Sequence, residues 1–442
     1  MNHTQRHLFR TLFLLLTLHS LNAGQYFALS EGNFGQANAS LWSLDETLTP
    51  IQGPLVWNES TNPMGDVGQS LTLYNHNLYV VMNGSHEVRI LNLEGGANHT
   101  GDIDLPNTSP RYMAIHPESN RGFVSSWSLG ALLIIDLTSN AVIDTLSLGS
   151  LPEQLLIDGN ELYVSVPMMS DWSAENKILR IDLSGSSLEV THTYDVIDGP
   201  GDMAVIGDQL YVTSIYYNDA WETFSGTSRI NLMDHTVTMD DHGYYTNFTA
   251  DIEILQGSVY RSFGNSIVPF NDDMSLNTSG ALLDVSGIYA FTIVNDHIIV
   301  GSSDFVAPDL LKVFTLSGAA LGSFNVGAFP SDMIYYDPNT VSLAEERYAP
   351  GSSTLGQNFP NPFNPATTIP FHLESPAKVK LSIYDLQGRL VRNLINDHRQ
   401  AGDHSILWDG LNQSGSPVSS GVYPVVFEAG KHQDHGKVML LR

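Results

Sequence analysis

The chain has 442 residues, of which 42% are hydrophobic and 15% charged, with 37 glycines and 21 prolines. It is long enough for two or three domains, and its formal net charge of −28 opposes binding to nucleic acid or to anionic lipid. The absence of cysteine excludes disulfides, thiol catalysis and thiolate-bound metal. This composition is typical of a turn-rich β protein.

Residues 1–23 have the layout of a secretory signal peptide. Arg6 and Arg10 precede an apolar run at 12–18, and a small residue, Ala23, ends the segment. The apolar run is too short to cross a bilayer, and no later segment is longer. We therefore expect an exported, soluble mature chain with no membrane span.

The charge is unevenly distributed along the rest of the chain. Residues 24–337 hold 38 Asp and Glu against 8 Lys and Arg, whereas residues 355–442 hold 7 against 8. A polar segment containing Gly, Ser and Pro, residues 338–354, separates the two regions. We expect two domains joined by a linker.

A repeated sequence pattern runs through the first region, residues 24–337. An apolar, often tyrosine-bearing strand occurs seven times, with starting positions 39 to 52 residues apart. Six copies follow a second type of strand, and a third type follows each copy. The seven copies are "QYFALS" (25–30), "NLYVVM" (77–82), "GFVSSW" (122–127), "ELYVSV" (161–166), "QLYVTS" (209–214), "SVYRSF" (258–263) and "HIIVGS" (297–302).

The two ends of this region complement each other. The first copy, "QYFALS", has no strand of the second type before it, and the last strand of that type, "FPSDMIYY" (329–336), has no copy after it. Pairing the two ends covers edges that would otherwise invite aggregation. The sequence therefore predicts an all-β fold: a seven-bladed β-propeller, residues 24–337, with four-stranded blades, closed by its N- and C-terminal strands.

The repeat pattern "P…G..LYV……..I.RIDLSG" resembles the YVTN-type repeats of bacterial and archaeal surface and exported propellers. The resemblance covers roughly residues 25–337. It implies the propeller fold and leaves the activity open, because such propellers include binding proteins and surface-layer components.

Residues 355–442 show alternating strands of a small immunoglobulin-like β-sandwich. "LGQNFPNPFNPATTIPF" (355–371), "IYDLQGRLVRNL" (383–394) and "WDGLNQSGSPVSSGVYPVVFEAG" (408–430) resemble the C-terminal sorting domain of type IX secretion, whose fold is similar to that of flagellar hook-capping proteins. Pro424 departs from the pattern. The resemblance implies a Gram-negative bacterium, the type IX secretion machinery as partner, and delivery to the cell surface or medium. An ordinary accessory domain is the alternative.

Familiar catalytic motifs are absent from the sequence. When the first strands of the blades are aligned, one position, here called the column, holds candidate site residues. In a propeller, the first strand of each blade lines the central channel. Asp202, Asp251 and Asp332 could therefore form a Ca²⁺ or polar-ligand site near the channel mouth. Alternatively, each carboxylate could bond backbone amides of the next blade. The column contains Ser70, Tyr112, Gln154, Asp202, Asp251, Ala290 and Asp332.

Long aromatic loops should lie on the same face of the propeller. Exposed rings beside acids and amides could stack on a sugar or grip a peptide, and packing between loops is the alternative. Besides Tyr112 and Gln154 of the column, the candidate ligand-binding residues are Trp127, Trp172, Tyr216, Tyr217 and Trp221.

Three functions are compatible with these features. The leading hypothesis is a non-enzymatic, exported protein that binds a glycan or protein ligand without a cofactor. The rival is a hydrolase or lactonase with a metal in the channel, and Ca²⁺ is the possible ion. The third is a structural component of the cell envelope.

Overall fold

The computed structural model describes residues 24–338 except 46, 49, 53–63, 186, 248, 256 and 306–308. It also describes residues 354–440 except 356–362, 364–365, 374–375, 386–388, 400–401 and 431. The predicted signal peptide and nearly all of the predicted linker lie outside these residues. No helix within the described ranges is long and apolar enough to cross a membrane.

The chain divides into two compact units after residue 344. In the first, here the propeller unit, the strands are β1 (Gln25–Ser30), β2 (Ser40–Asp45), β3 (Pro50–Gln52), β4 (Gly68–Tyr74), β5 (Asn77–Met82), β6 (Glu87–Asn92), β7 (Asn98–Asp104), β8 (Pro110–His116), β9 (Arg121–Ser126), β10 (Ala131–Asp136), β11 (Ala141–Ser147), β12 (Ser150–Leu151), β13 (Leu155–Asp158), β14 (Glu161–Met169), β15 (Ala174–Asp182), β16 (Glu189–Asp195), β17 (Pro200–Ile206), β18 (Gln209–Tyr217), β19 (Thr223–Asn231), β20 (Val237–Tyr244), β21 (Ile252–Leu255), β22 (Ser258–Phe263), β23 (Ser266–Pro269), β24 (Ile288–Val294), β25 (His297–Ser302), β26 (Asp309–Thr315), β27 (Ala320–Val326) and β28 (Pro330–Tyr336).

These strands form the blades of a β-propeller. The described residues of the unit contain seven antiparallel sheets, as the repeat predicts. Blade 1 is β28-β1-β2-β3, and blades 2 to 7 begin with β4, β8, β12, β17, β21 and β24. The innermost strands β4, β8, β13, β17, β21, β24 and β28 contact one another in that order, and β28 also contacts β4.

The two ends of the unit pair as the sequence predicts. Strand β28 is hydrogen-bonded antiparallel to β1, so that Ile334 lies opposite Phe27 and Met333 opposite Ala28. The N-terminal strand therefore supplies blade 1 with its second strand and the C-terminal strand supplies the first. Both edges are paired rather than left open for association with another chain.

Two blades differ from the predicted four-stranded pattern. Blade 6 has three strands among the described residues, because the chain after β23 bonds back irregularly, from Leu282 N to Ile267 O and from Val285 N to Asn265 O. In blade 4 the first strand is split into β12 and β13 at Pro152, which has no amide hydrogen to give to a ladder.

Apolar clusters between neighbouring blades make the core. Between blades 2 and 3, for example, Tyr79 and Val81 of β5 pack with Val124 of β9 and Leu133 of β10. All four side chains are buried. Burial of one such side chain stabilises the fold by about 1.5–3 kcal/mol, so each blade depends on its neighbour.

The second unit, here the C-terminal unit, is a β-sandwich. Its two antiparallel sheets have the orders β29-β30-β33 and β32-β31-β34-β35. Trp408, Phe371 and Phe427 are buried at the centre of its core. The strands are β29 (Thr354–Leu355), β30 (Thr367–Leu373), β31 (Ala377–Tyr384), β32 (Leu390–Arg399), β33 (Gly402–Trp408), β34 (Gly421–Ala429) and β35 (His432–Leu440).

Candidate ligand-binding site

Alternation of strand direction gives the propeller unit two faces. On the mouth face lie the segments that lead into the innermost strands and the turns between second and third strands. On the opposite face lie the turns between first and second strands and between third and fourth strands. All of the sequence-predicted site residues are at the mouth end of their strands or in turns of the mouth face.

A cavity of about 360 Å³ lies at the mouth end of the channel. Every blade contributes to its wall, which is mainly polar and contains five carboxylate or guanidinium side chains. The lining residues include Glu31, Gln69, Arg111, Tyr112, Glu153, Gln154, Asp202, Thr213, Asp251, Tyr289 and Ser331.

The backbone at the cavity wall is held by a repeated hydroxyl group. Register shifts interrupt the first strand of several blades at this level. The freed amide of the column residue then donates to a buried Ser or Thr of the second strand. In blade 5, Asp202 N donates to Thr213 Oγ1 at 3.1 Å, and that hydroxyl donates to Ala250 O of blade 6. The equivalent hydroxyls in blades 3, 4 and 6 belong to Ser125, Ser165 and Ser262.

The three aspartates of the column connect neighbouring blades. Asp202 accepts from Ile252 N of blade 6 at 3.0 Å, and Asp332 accepts from Leu71 N of blade 2 at 2.7 Å. Asp251 accepts from Phe291 N of blade 7 at 2.9 Å. These contacts agree with the structural alternative proposed from the sequence.

Burial raises the pKa of every carboxyl in this group. It raises the pKa of Asp202 to about 6 and that of Asp332 to about 7, although backbone amides oppose the shift. Burial and then the charge of Asp202 raise the pKa of Asp251 well above its ordinary value. Burial and then the charge of Asp202 raise the pKa of Glu253 to about 8.

Within the described residues, no group of three or more His, Asp or Glu side chains has the arrangement of a metal site. Asp332 is also not part of the cavity lining, unlike Asp202 and Asp251. The carboxylates that were predicted to hold Ca²⁺ instead contact backbone amides. Calcium binding stays a prediction.

Arg111 is the cation of the cavity wall. Its Nε and Nη2 donate to the Glu153 carboxylate at 2.9 and 2.6 Å, and its Nη1 donates to Gln69 Oε1 at 2.6 Å. The guanidinium carbon lies 4.2 Å from the centre of the Trp127 ring. Arg111 is thus both stacked on an aromatic face and paired with a carboxylate.

Trp172 extends this stack towards solvent. Its ring meets that of Trp127 edge to face, with centroids 5.7 Å apart. Trp172 is 65% exposed at the tip of the β14–β15 turn. The predicted residues Trp127 and Trp172 therefore come together beside Arg111, although neither ring is among the residues that line the cavity.

The remaining predicted aromatics form a second group on the β18–β19 hairpin. Tyr216 stacks on Phe224 and donates to Asp241 at 2.8 Å, and burial raises its pKa to about 12. Tyr217 contacts Trp221, which is 82% exposed. None of these rings lines the cavity, although Ile215 of the same strand does.

Sequence reasoning missed the cavity residues that carry most of its hydrogen-bonding groups. Arg111 and Glu153 stand one position before Tyr112 and Gln154 in the repeat alignment. The residues in that neighbouring column all line the cavity, so the same alignment contained the signal. They are Gln69, Arg111, Glu153, Gly201, Ala250, Tyr289 and Ser331.

Comparison with known proteins identifies a relative of the C-terminal unit. The family model of the FlgD Ig-like domain matches residues 362–433. Two curated proteins, the basal-body rod modification proteins FlgD of Salmonella typhimurium and Salmonella typhi, are each 35% identical over 125 residues. The match covers 27% of this chain and 54% of each relative, so the chain spans about half the length of these proteins.

Solved structures share the fold of most of the chain. A candidate 6-phosphogluconolactonase from Bacteroides uniformis has a TM-score of 0.54 and 13% identity, over 71% of this chain and 100% of that one. A protein from Lactobacillus plantarum gives the same TM-score and identity, over 71% and 99%. The chain thus combines a propeller-like fold with a FlgD-type immunoglobulin-like domain.

Proposed function

We propose that this chain is an exported binding protein that holds its ligand at the channel mouth of the propeller. The observation that carries the proposal is the polar cavity of about 360 Å³, built by all seven blades, together with the exposed ring of Trp172, which contacts Trp127 beside the cavity residue Arg111. A ligand pocket usually combines a few convergent polar groups with aromatic surface.

The charge of the cavity limits which ligands fit. Glu31, Asp202 and Asp251 face it, and the guanidinium of Arg111 is already paired with Glu153. A phosphorylated ligand, such as the substrate class suggested by the lactonase-like neighbour, would find no unpaired cation among these lining residues and would meet the acidic turns around them. This argument favours binding of a neutral or cationic ligand over lactonase chemistry.

The C-terminal unit supplies the export part of the proposal. Its sandwich fold and its match to the FlgD Ig-like domain support a module separate from the acidic propeller. Together with the leader-like residues 1–23, this module directs the chain through the inner membrane and then through type IX secretion to the cell surface or medium.

Binding is tested by screening the purified chain on glycan and peptide arrays, beside the Trp172→Ala and Trp221→Ala variants. A ligand that the chain retains and the Trp172→Ala variant releases is the expected result. Turnover of a lactone or ester by the purified chain, unaffected by Trp172→Ala, would refute the binding function.

Export is tested separately by fusing residues 355–442 to a reporter that carries a signal peptide. In a bacterium with type IX secretion, we expect the reporter on the cell surface or in the medium. The same fusion in a strain without the secretion machine should stay in the periplasm. Equal release from both strains would overturn the export part alone.

A further inference from the structure

We propose that the mouth face binds an arginine-bearing peptide segment of a partner protein, with one guanidinium group on the Trp172 ring and one in the cavity. The proposal rests on the proposed binding function and names its ligand class. Its evidence comes from the internal Arg111 stack, the charge of the face, the backbone at Trp172, and unused carboxylate oxygens.

The structure already holds one guanidinium at this place. Arg111 stacks on Trp127 and bonds both oxygens of Glu153. A planar guanidinium suits an aromatic face and a carboxylate at the same time, which an ammonium group does not match. Trp172 meets Trp127 in a T-shaped pair and is still 65% exposed, so most of its ring is accessible to a ligand.

Acidic residues dominate the turns of the mouth face. Two cations near them are already neutralised, since Arg111 pairs with Glu153 and Lys177 with Asp195 at 2.6 Å. The surface therefore complements a basic partner and repels an acidic one. The acidic residues in the described turns of this face include Glu31, Asp66, Asp171, Asp198, Asp219, Glu222 and Asp304.

The backbone at Trp172 indicates that the exposed ring has a use. Trp172 has φ +68°, and Met169 N and Trp172 N close a tight turn by donating to Ser173 O and Met169 O. Glycine usually occupies this left-handed position of a hairpin. Trp221 repeats the arrangement with φ +61° in the next blade. A bulky residue in this conformation without burial is typical of functional positions.

Two carboxylates of the cavity wall keep an oxygen for a ligand. Tyr289 donates to Glu31 Oε1 at 2.9 Å, and Phe291 N donates to Asp251 Oδ2. Among the described residues, the other oxygen of each carboxylate accepts no hydrogen bond. A guanidinium entering the cavity would supply donors to both, and its charge would favour the ionised form of these carboxyls, whose pKa burial raises.

The size of the cavity fits a side chain and not a folded domain. About 360 Å³ accommodates one or two long side chains, while the exposed rings of Trp172 and Trp221, on the neighbouring blades 4 and 5, provide contact area for the peptide. We therefore expect recognition of a short extended segment that carries arginine.

The inference is tested with the full chain and the peptide acetyl-Gly-Arg-Gly-Arg-Gly-amide. Its control contains citrulline in place of arginine, which keeps the shape and removes the charge. The ¹⁵N indole signals of the chain's six tryptophans report binding, and a Trp172→Phe variant assigns the Trp172 signal. We expect the arginine peptide to shift that signal and the citrulline peptide to bind about tenfold more weakly.

Variants then separate the parts of the site. Trp172→Gly, which suits the backbone, should weaken the arginine peptide about tenfold, and Glu31→Gln should weaken it to a smaller degree. Met233→Ala, at an exposed residue of the opposite face, should leave binding unchanged. Equal binding of the citrulline peptide, or unchanged binding by Trp172→Gly, would overturn the inference.

The same measurements distinguish a failure of this inference from a failure of the proposed binding function. If a glycan binds and depends on Trp172 while the arginine peptide does not bind, the inference is wrong and the binding function stands. If neither glycans nor peptides of any charge bind the chain, both are wrong.

Discussion

The two faces of the propeller unit carry different side chains at turns made by the same repeat. On the opposite face, the turn after the third strand is closed in most blades by a short polar side chain, Asp, Asn or Thr, at the same position. Asn231, for example, accepts from Met233 N at 2.9 Å. Its counterparts include Asp45, Asp136, Asp182 and Thr315. On the mouth face, the turns of Trp172 and Trp221 are also closed by short polar side chains, Asp171 and Asn218, but these stand one and three residues before the tryptophan, so no single position is shared.

This difference separates the requirements of folding from those of binding. A side chain that bonds its own turn stabilises the hairpin wherever it occurs, so the repeat retains it. An exposed tryptophan with positive φ adds strain of about 1–2 kcal/mol and buries little. Under the proposed binding function, the mouth face departs from the repeat where the ligand is held.

The largest expected effect tests whether the channel aspartates belong to folding. Asp202→Ala removes the acceptor of both Ile252 N and Met203 N, and we expect it to lower the free energy of unfolding by about 3 kcal/mol. Urea denaturation measures the loss. Glu31→Gln is the control, with an effect below about 1 kcal/mol. A more stable Asp202→Ala chain would mean that the carboxylate is kept for a ligand.

The next prediction compares the same turn position on the two faces. Met274 and Trp221 both have positive φ in matching turns, but Met274 on the opposite face is 0% exposed and Trp221 is 82% exposed. Met274→Gly should cost about 2–3 kcal/mol through lost burial. Trp221→Gly should change stability by less than about 1 kcal/mol, since relief of strain offsets the lost ring contact. Thermal unfolding of both variants checks this, and a similar loss in each would remove the distinction.

A third prediction concerns the pH dependence that the mouth-end carboxyls impose. Thr292 donates to Glu253, while Asp202 and Asp332 lie close enough to raise its pKa further. The folded-state pKa of about 8 exceeds the ordinary value of 4.5, so the folded chain retains a proton that the unfolded chain loses. The stabilisation that the protonated Glu253 gives to the folded chain is therefore complete below pH 4 and disappears as the pH rises through 8.

We expect the free energy of unfolding to fall by about 2 kcal/mol between about pH 6.5 and pH 9. Glu253→Gln should flatten that slope, because the neutral amide has no proton to lose. Denaturant titrations at several pH values measure both chains. A stability that rises over this interval would show that Glu253 is ionised in the folded chain.

The smallest effect is expected on the opposite face. Asn231→Ala removes the acceptor of Met233 N and Asp234 N and should cost about 1 kcal/mol. Binding at the mouth face should not change, and isothermal titration with the arginine peptide checks this. A loss of affinity would contradict this prediction, because it would show that the opposite face influences binding at the mouth face.

Much of the fold could be predicted because it is repeated. The tyrosine-bearing strand predicted the second strand of each blade, and the unmatched ends predicted that β1 pairs with β28. The fourth strand of blade 6 was predicted wrongly, because regular pairing there gives way to scattered bonds after Pro269. Such an exception depends on local geometry that a repeat pattern does not contain.

The candidate site could be predicted only in part. The column analysis found Asp202 and Asp251, and loop composition found Trp172, because these residue types stand out in turns. Arg111 and Glu153 were missed because the register shift at the cavity brings two adjacent columns to its wall. Regular alternation of side chains would have turned one of those columns away.

The most direct measurement is a pair of readouts on two variants, Trp172→Gly and Asn231→Ala. The free energy of unfolding and the affinity for the arginine peptide are measured for each beside the unmodified chain. We predict that Trp172→Gly keeps the stability and loses the affinity, while Asn231→Ala loses stability and keeps the affinity. If Trp172→Gly instead unfolds more easily and binds as before, the mouth face is a packing surface and the account is contradicted.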